Sequence, residues 1–150
     1  MTKSTDSGWT VLVAEDDRVA RILMERSFRK AEAKSNLQFV QNGQEAIDYL
    51  EGNAAYEDRT TWPLPNLVLL DVNMPKRDGF EVLQWIKQHP QMKKLIVVML
   101  TSSDEPMDIK RAYELGANSY LVKSPLYPEF TDLIKCMDTY WLKHNRTCAL

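Results

Sequence analysis

The sequence predicts one α/β domain built on a doubly wound, five-stranded parallel sheet. Five short apolar runs alternate along the chain with segments of helical period, which is the pattern of successive βαβ units. Three of these runs are almost wholly apolar, as expected for parallel strands that helices cover on both faces. At 150 residues the chain is long enough for one domain with its own core.

The predicted strands lie at the apolar runs, residues 9–14, 37–40, 66–70, 95–100 and 119–122. After the first strand, a stripe at three- and four-residue spacing predicts a helix that buries one face: Ala20, Leu23, Met24, Phe28 and Ala31. The second helix begins after Asn42, a capping residue that Glu45 follows three positions later. Its helical period continues to Leu50 and outweighs the hairpin that an Asn-Gly pair can also indicate.

The remaining helices are bounded by typical end residues. The third runs from about Asp78 to Gln88 and stops before Pro90, because the residue before a proline disfavours helical backbone. The fourth begins near Pro106 and ends at Gly116, which are favourable first-turn and C-cap residues. The last helix presents one apolar face: Phe130, Leu133, Ile134, Met137 and Trp141.

The connection formed by residues 53–65 is long for this alternating pattern. It carries three anchoring side chains, Tyr56, Trp62 and Pro63. Long connections are either functional loops or tolerated insertions, and the sequence leaves both interpretations open.

Charge and composition exclude several classes of function. The net charge of −2 gives no electrostatic case for nucleic acid or an anionic membrane as the main partner. The start of the chain lacks the apolar segment of a secretory signal, and no apolar run approaches the ~18 residues of a membrane span. Cys136 and Cys148 lack metal-binding spacing, so we expect reduced thiols and a cytoplasmic location. His89 and His144 lie far from both cysteines, which disfavours a zinc site.

Unusual polar residues stand where the predicted strands end. They are Glu15, Asp16 and Asp17 after the first strand, Asp71 after the third, Thr101 and Ser102 after the fourth, and Lys123 after the fifth. Because parallel strands end at one edge of a sheet, and open sheets bind ligands there, these side chains are expected to form a site. Asp16 could also cap the first helix, but a cap would not explain why Asp71 lies at the same edge.

A cluster of carboxylates raises the pKa of each member unless positive charge intervenes. A hard cation with oxygen ligands supplies that charge, and Mg²⁺ suits a few carboxylates, waters and a phosphate oxygen better than zinc or copper does. Lys123 adds a second positive charge, and Thr101 adds a hydroxyl donor. Such groups stabilise the oxygens of a phosphoryl group in transfer. Asp71 is therefore predicted to be a nucleophile that forms an aspartyl phosphate.

Four motifs at these strand ends resemble the receiver domain of two-component response regulators. They are VLVAEDD, LLDVNMPKRDG, MLTSS and SYLVKS. The resemblance covers about residues 11–141 and implies the (βα)5 flavodoxin-like receiver fold with strand order 2-1-3-4-5. It also implies a flexible segment 1–8, a receiver domain over 9–143, a C-terminal tail 144–150 and no output domain.

The resemblance assigns the metal ligands and the acceptor. Asp71 accepts the phosphoryl group and binds Mg²⁺ directly. Asp16 and the backbone carbonyl of Asn73 also bind the cation, and Glu15 acts through a water molecule.

The resemblance also assigns the groups that respond to the phosphate. Lys123 and Thr101 contact the phosphoryl oxygens, and Thr101 and Tyr120 form a conformational switch. Asn73 and Ser103 tune the lifetime of the phosphate. A protein of this kind is a regulator and not an enzyme, because it catalyses only its own phosphorylation and slow dephosphorylation.

One departure concerns the segment after Lys123. The family commonly has proline directly after this lysine, joined by a cis peptide, whereas here Ser124 follows and Pro125 comes one place later. A cis bond before a residue other than proline costs ~3–4 kcal/mol. The expectation is either that strain, or a trans loop that places Lys123 differently.

The expected partners are a sensor histidine kinase and a downstream protein of unknown identity. Four side chains on the face of the fourth helix, fifth strand and fifth helix could support a homodimer: Met107, Tyr113, Cys136 and Tyr140. The long loop, the lysine followed by serine and the Tyr140-Trp141 ending resemble stand-alone regulators paired with bacterial phytochrome kinases.

Three alternatives come from other classes of protein. A haloacid dehalogenase-type phosphatase needs a second acid two residues after the nucleophile, where this chain has Asn73. A nucleotide- or flavin-binding protein needs a glycine-rich loop after the first strand, which this chain lacks. A degenerate receiver that binds a partner without phosphorylation is disfavoured by the complete set of acids and lysine, but the sequence leaves it open.

Overall fold

The computed structural model describes residues 9–33, 35–148 and 150. Its strands agree with the predicted ones to within one residue at each end: β1 (Thr10–Ala14), β2 (Asn36–Val40), β3 (Leu67–Leu70), β4 (Ile96–Thr101) and β5 (Ser119–Val122). The segment 1–8, predicted to be flexible, lies outside the described residues.

All five strands are parallel and lie in the order β2-β1-β3-β4-β5, which confirms the doubly wound sheet. The chain builds from β1 to β2 on one side, crosses back to β3 and continues outward to β5. In the register of the central pair, Ala14 at the end of β1 lies beside Leu70 at the end of β3. The residues that follow these two strands therefore meet at the switch point, where open α/β sheets bind ligands.

Five helices connect the strands: α1 (Arg18–Lys30), α2 (Gly43–Glu51), α3 (Gly79–Gln88), α4 (Pro106–Glu114) and α5 (Tyr127–Met137). The last continues as a π-helical segment, Asp138–His144. Asn42 caps α2 by accepting a hydrogen bond from the backbone N–H of Glu45 at 2.8 Å, as predicted. Asp78 caps α3, in a capping box with Glu81.

The cap of α1 differs from one of the sequence interpretations. Asp17, and not Asp16, accepts the hydrogen bond from the backbone N–H of Ala20, at 3.0 Å. The helix starts one residue later than a cap at Asp16 requires, so the exposed Asp16 is not used as the cap.

The sheet separates two apolar layers. Alternate residues of β1 face opposite ways, with Val11 and Val13 toward α1 and α5, and Leu12 and Ala14 toward the other helices. Four fully or almost fully buried side chains represent the two layers: Met24 and Ile134 in the first, Leu50 and Leu83 in the second. Burial of each such side chain stabilises the fold by about 1.5–3 kcal/mol, so the strand ends are held on a rigid support.

The long connection folds back against α2 as an ordered cap. It contains a short 3₁₀ helix, Ala54–Tyr56, and its Arg59 guanidinium donates hydrogen bonds to the carbonyls of Tyr49, Leu50 and Trp62 at 2.8–3.0 Å. The Tyr49 hydroxyl donates to the Pro63 carbonyl at 2.7 Å. Two of the accepting carbonyls belong to the last turn of α2, where helix carbonyls lack partners within the helix. The connection thus has a structural role in closing α2.

The cysteines and the hydropathy of the helices bear on the expected thiols and on the expected absence of a membrane span. Cys136 and Cys148 are free and exposed. Over the described part of the chain, the helices are too short or too polar to cross a membrane.

Candidate functional site

Two buried carboxylates lie at the switch point of the sheet. Glu15 follows β1 and is held there by a hydrogen bond from its backbone N–H to the carbonyl of Val40, at 3.0 Å. Asp71 follows β3, and its backbone N–H donates to the carbonyl of Ala14 at 3.3 Å. The exposed fraction is 3% for Glu15 and 9% for Asp71. The strand register therefore brings two acids that are 56 positions apart into one pocket.

Lys123 links these two acids. Its ammonium donates a hydrogen bond to Oδ2 of Asp71 at 2.9 Å and another to Oε1 of Glu15. The Lys123–Ser124 peptide is trans, so the loop takes the second of the two expected courses. Even so, the lysine reaches both acids, because its backbone N–H continues the pairing with β4 by donating to the Thr101 carbonyl at 2.8 Å.

The electrostatics of the pocket follow from burial and from this ion pair. Burial raises the pKa of the Glu15 carboxyl, and the hydrogen bond and charge of Lys123 offset only part of that effect. Burial lowers the pKa of Lys123, but the charges and hydrogen bonds of Asp71 and Glu15 outweigh it, so the lysine pKa is raised above its ordinary value. The lysine is thus held charged, and the pocket still favours additional positive charge.

The other predicted metal ligands lie at the open side of the pocket. Asp16 and Asn73 are exposed, and the backbone N–H of Asn73 donates to Oδ1 of Asp71 at 3.2 Å. Within the ranges that the structure describes, no three carboxylate, imidazole or thiolate groups are gathered as ligands. The available donors are all oxygens, and a hard divalent cation that keeps several waters needs only one or two carboxylates. The residues present fit such a cation.

Thr101, Ser103 and Tyr120 form a hydrogen-bonded chain beside the pocket. Thr101 is fully buried, and its hydroxyl oxygen accepts from the backbone N–H of Ser103 at 3.3 Å. The Tyr120 hydroxyl donates to the Ser103 carbonyl at 2.9 Å, and burial raises the pKa of Tyr120. The predicted switch residues are therefore connected through the loop that follows β4.

Sequence reasoning missed three contributors to the pocket. Asp108, in the first turn of α4, accepts a hydrogen bond from the Ser103 hydroxyl at 2.6 Å. The Arg21 guanidinium donates to the backbone carbonyl of Glu15 at 2.9 Å. Gly79 packs behind Asp71, where an added Cβ would lie 2.1 Å from the Asp71 carbonyl oxygen. Its position at the start of α3 in the sequence does not reveal this contact.

An exposed apolar surface borders the pocket. We call it the apolar rim, and it comprises Val19, Ile22 and Leu23 on α1 with Leu126 and Tyr127 at the start of α5. Val19 is 62% exposed and Leu126 58% exposed. A cavity of about 60 Å³ between α1 and α5 is lined by Leu23 of the rim and by Lys123 of the pocket. Leu23 of the rim therefore lies beside Lys123 of the site.

The four candidate interface residues lie on α4, on α5 and in the segment that continues α5. Met107 and Tyr113 on α4 are 73% and 50% exposed, and Tyr140 beyond α5 is 57% exposed. Cys136 on α5 is also exposed. Their exposure is compatible with the predicted homodimer, which stays a prediction.

A doubly wound sheet with a lysine-bridged acidic pocket at its switch point defines a signal-receiving α/β domain. The chain belongs to the response regulator receiver domain family, whose model matches residues 11–135. The chain is 33% identical over 143 residues to the response regulator Rcp1 of Synechocystis sp., covering 95% of each sequence. These findings place the chain in two-component signalling.

Solved structures give the same assignment. The chain superposes on the phosphorylated cyanobacterial phytochrome response regulator RcpA with a TM-score of 0.87 and 30% identity, over 94% of this chain and 99% of that one. It superposes on the Mn²⁺-bound form of Rcp1 with a TM-score of 0.85 and 33% identity, again over 94% and 99%.

Proposed function

We propose that this protein is a phosphoacceptor response regulator that takes a phosphoryl group from a histidine kinase onto Asp71 with the help of Mg²⁺. The contact of Lys123 with both Asp71 and Glu15 carries this proposal, because it concentrates a nucleophile, a second acid and a fixed cation in one pocket. A carboxylate 9% exposed at a strand end has no role in the apolar core that would explain its burial.

The chemistry is a phosphoryl transfer between two side chains. An oxygen of Asp71 attacks the phosphorus of a phosphohistidine, the P–N bond breaks, and the imidazole leaves with the electron pair of that bond. Lys123 stabilises the charge on the phosphoryl oxygens, and the Thr101 hydroxyl donates to one of them. When bound by Asp16, Asp71 and the Asn73 carbonyl, with Glu15 acting through water, Mg²⁺ supplies further positive charge at those oxygens.

The apolar rim is the surface that we assign to the kinase. A phosphohistidine can reach Asp71 only if its protein contacts the border of the pocket, and Leu23 of the rim shares a cavity with Lys123 of that pocket. Large exposed apolar patches mark contacts with other proteins. The names of the similar structures support a kinase of the phytochrome type.

Phosphorylation adds about −1.5 to −2 charges to the pocket. We infer that Thr101 then donates to the phosphate, and that Tyr120 and Ser103 follow because they share its hydrogen-bonded chain. This change reaches the face of α4, β5 and α5, where a homodimer or a downstream protein binds. Asn73 and Ser103 set how long the phosphate persists, and the protein acts in the cytoplasm.

Intact-protein mass spectrometry tests the proposal. Wild-type protein incubated with acetyl phosphate and Mg²⁺ is expected to gain the mass of one phosphoryl group, and to gain none when a chelator removes the cation. Asp71→Asn is expected to gain none, whereas Asp132→Asn, at an exposed acid on α5, behaves as wild type. An adduct on Asp71→Asn contradicts the assignment of Asp71 as the acceptor. No adduct on the wild type contradicts the proposal and favours a receiver that binds without phosphorylation.

A further inference from the structure

The loop between Asp71 and α3 contains two residues in an unfavourable backbone conformation. Lys76 and Arg77 have φ angles of 47° and 77°, in the left-handed region that favours glycine. Each such residue costs on the order of 1–3 kcal/mol and persists only where the surrounding structure holds it. Some other part of the molecule must therefore hold this loop.

The first turn of α2 provides that hold. The backbone N–H of Gln44 donates to the Lys76 carbonyl at 2.9 Å, and that of Gly43 donates to the Pro75 carbonyl at 3.4 Å. The first N–H groups of a helix have no partners within the helix, so they are free to bind the loop. The positive end of the helix dipole adds to the attraction for carbonyl oxygens.

Gly43 makes this approach sterically feasible. A Cβ at this position would lie 2.1 Å from the carbonyl oxygen of Arg77 and 2.8 Å from its carbonyl carbon. Both atoms belong to the backbone, so a rotamer change could not relieve the contact. The φ angle of Gly43 is not in the left-handed region, unlike those of Gly52 and Gly116. The close approach, and not the local conformation, therefore requires glycine here.

The held segment is the one that carries a predicted cation ligand. The loop is closed at its base by a hydrogen bond from the Gly79 N–H to the Val72 carbonyl at 2.9 Å. Asn73 lies between that base and the tip that α2 holds. The Asn73 carbonyl can bind a cation only when the loop is in place. If the loop holds this conformation for only part of the time, the apparent affinity for the cation falls in proportion to that fraction.

We propose that the first turn of α2 positions the cation-binding loop, with Gly43 as the residue that sets the distance between them. This inference rests on the proposed function, since it concerns the cation bound next to Asp71. Gly43 touches neither the cation nor the phosphoryl group and is a positioning residue.

Calorimetric titration with MgCl₂ tests the inference on Gly43→Ala and Gly52→Ala, at a temperature where circular dichroism shows both folded. Gly43→Ala is expected to weaken binding of Mg²⁺ about tenfold, because the loop must move away from α2. Gly52→Ala is the matched control at the other end of the same helix. It loses stability because φ is 76°, but its affinity for Mg²⁺ is expected to equal that of the wild type.

Amide hydrogen exchange of the wild type gives a second readout that needs no variant. If the contact strengthens Mg²⁺ binding, Mg²⁺ must strengthen the contact by the same factor. Exchange of the Gln44 N–H is therefore expected to slow about tenfold on saturation, whereas the Gly52 N–H at the far end of α2 is unaffected. This measurement tests the positioning role of α2 even if Gly43→Ala does not fold.

The possible failures are distinguishable. Wild-type affinity in folded Gly43→Ala, equal loss in both variants, or no change in exchange of the Gln44 N–H overturns the positioning role and leaves the proposed function intact. Absence of Mg²⁺ binding by the wild type overturns the cation site of the proposed function, and the positioning role with it.

Discussion

Lys123 Nζ lies 2.9 Å from Oδ2 of Asp71 and also contacts Glu15, so one ammonium of the chain pairs with two buried acids. Its side chain is only 17% exposed, so solvent screens these contacts weakly. Lys123 thus supplies part of the positive charge that the two acids need in the folded protein.

Lys123→Met is therefore expected to lower stability most when no divalent cation is present. In a chelator the loss is about 1–3 kcal/mol, because two acids lose their buried partner. Added Mg²⁺ replaces part of the missing charge, so the difference in melting temperature from the wild type narrows. Lys143→Met is the control, because the Lys143 ammonium pairs with Asp138 at 3.4 Å but the side chain is 57% exposed. The loss of stability in this variant is not expected to depend on Mg²⁺. Equal deficits with and without the cation would show that Lys123 acts by packing alone.

Gly79→Ala is expected to displace the acceptor. The new Cβ would lie 2.1 Å from the Asp71 carbonyl oxygen, so the backbone must shift, at a cost of about 1–3 kcal/mol. Urea denaturation measures that loss, and mass spectrometry after acetyl phosphate measures the expected fall in phosphoryl uptake. Gly116→Ala is the comparison. It is also expected to lose stability, because the φ angle of Gly116 is 105°, but to retain phosphoryl uptake. Normal uptake in folded Gly79→Ala contradicts the prediction.

Ser103 and Asp108 are expected to be energetically coupled. Their 2.6 Å hydrogen bond involves a carboxylate but is partly exposed, so a double-mutant cycle with Ser103→Ala and Asp108→Ala should give a coupling of about 0.5–1.5 kcal/mol. The backbone of Ser103 contacts Thr101 and Tyr120. Loss of the side-chain hydrogen bond loosens this backbone in both variants, so both are expected to change the dephosphorylation rate in the same direction. Additive losses of stability would mean that the contact contributes nothing.

Arg59→Ala is expected to destabilise the protein without affecting its chemistry. Three backbone carbonyls lose a charged donor, at a cost of about 1.5–3 kcal/mol. Arg59→Lys should recover little of this, since an ammonium cannot reproduce the forked geometry of a guanidinium. Phosphoryl uptake should equal that of the wild type, because the loop packs at the end of α2 away from the site. Reduced uptake in the folded variant would instead assign residues 53–65 a functional role.

The burial of Tyr49 is expected to make the protein less stable at alkaline pH. Burial raises the pKa of Tyr49 to about 12, from the ordinary value of 10.0. The folded state thus disfavours the ionised form, so this contribution is complete below pH 10 and is lost as the pH rises toward 12. Urea denaturation between about pH 9 and pH 11 should show a decrease that is smaller in Tyr49→Phe. An identical decrease in both proteins would assign it to other groups.

Local patterns predicted the fold because each element carries its own signal. The apolar runs located the strands, and Asn42 and Asp78 located two helix starts through interactions within four residues. The choice between Asp16 and Asp17 as the cap of α1 depends on a boundary of one residue, which such patterns do not resolve. The acids follow the ends of predicted parallel strands, and parallel strands end at one edge of a sheet, so the sequence also indicated that the acids would meet.

The remaining features depend on contacts between distant segments. Lys123 reaches Glu15 because the end of β5 pairs with β4 through the Thr101 carbonyl, a contact between segments that lie far apart in the sequence. Arg59 acts on carbonyls of the preceding helix, and Gly43 acts through its distance from Arg77. A glycine at the start of a helix has ordinary local explanations, so a requirement for close approach becomes visible only in three dimensions.

The apolar rim is built from side chains that take no part in the acid and lysine contacts. Val19, Ile22 and Leu126 are exposed, and the groups that bind Asp71 come from the backbone after β3 and from Lys123. Under the proposed function, substitutions in the rim on α1 and α5 alter which donor is recognised while the reaction at Asp71 stays the same. After duplication of such a gene, a few substitutions in the rim would be enough for each copy to accept phosphoryl groups from a different kinase. The residues of the acidic pocket would stay the same in both copies.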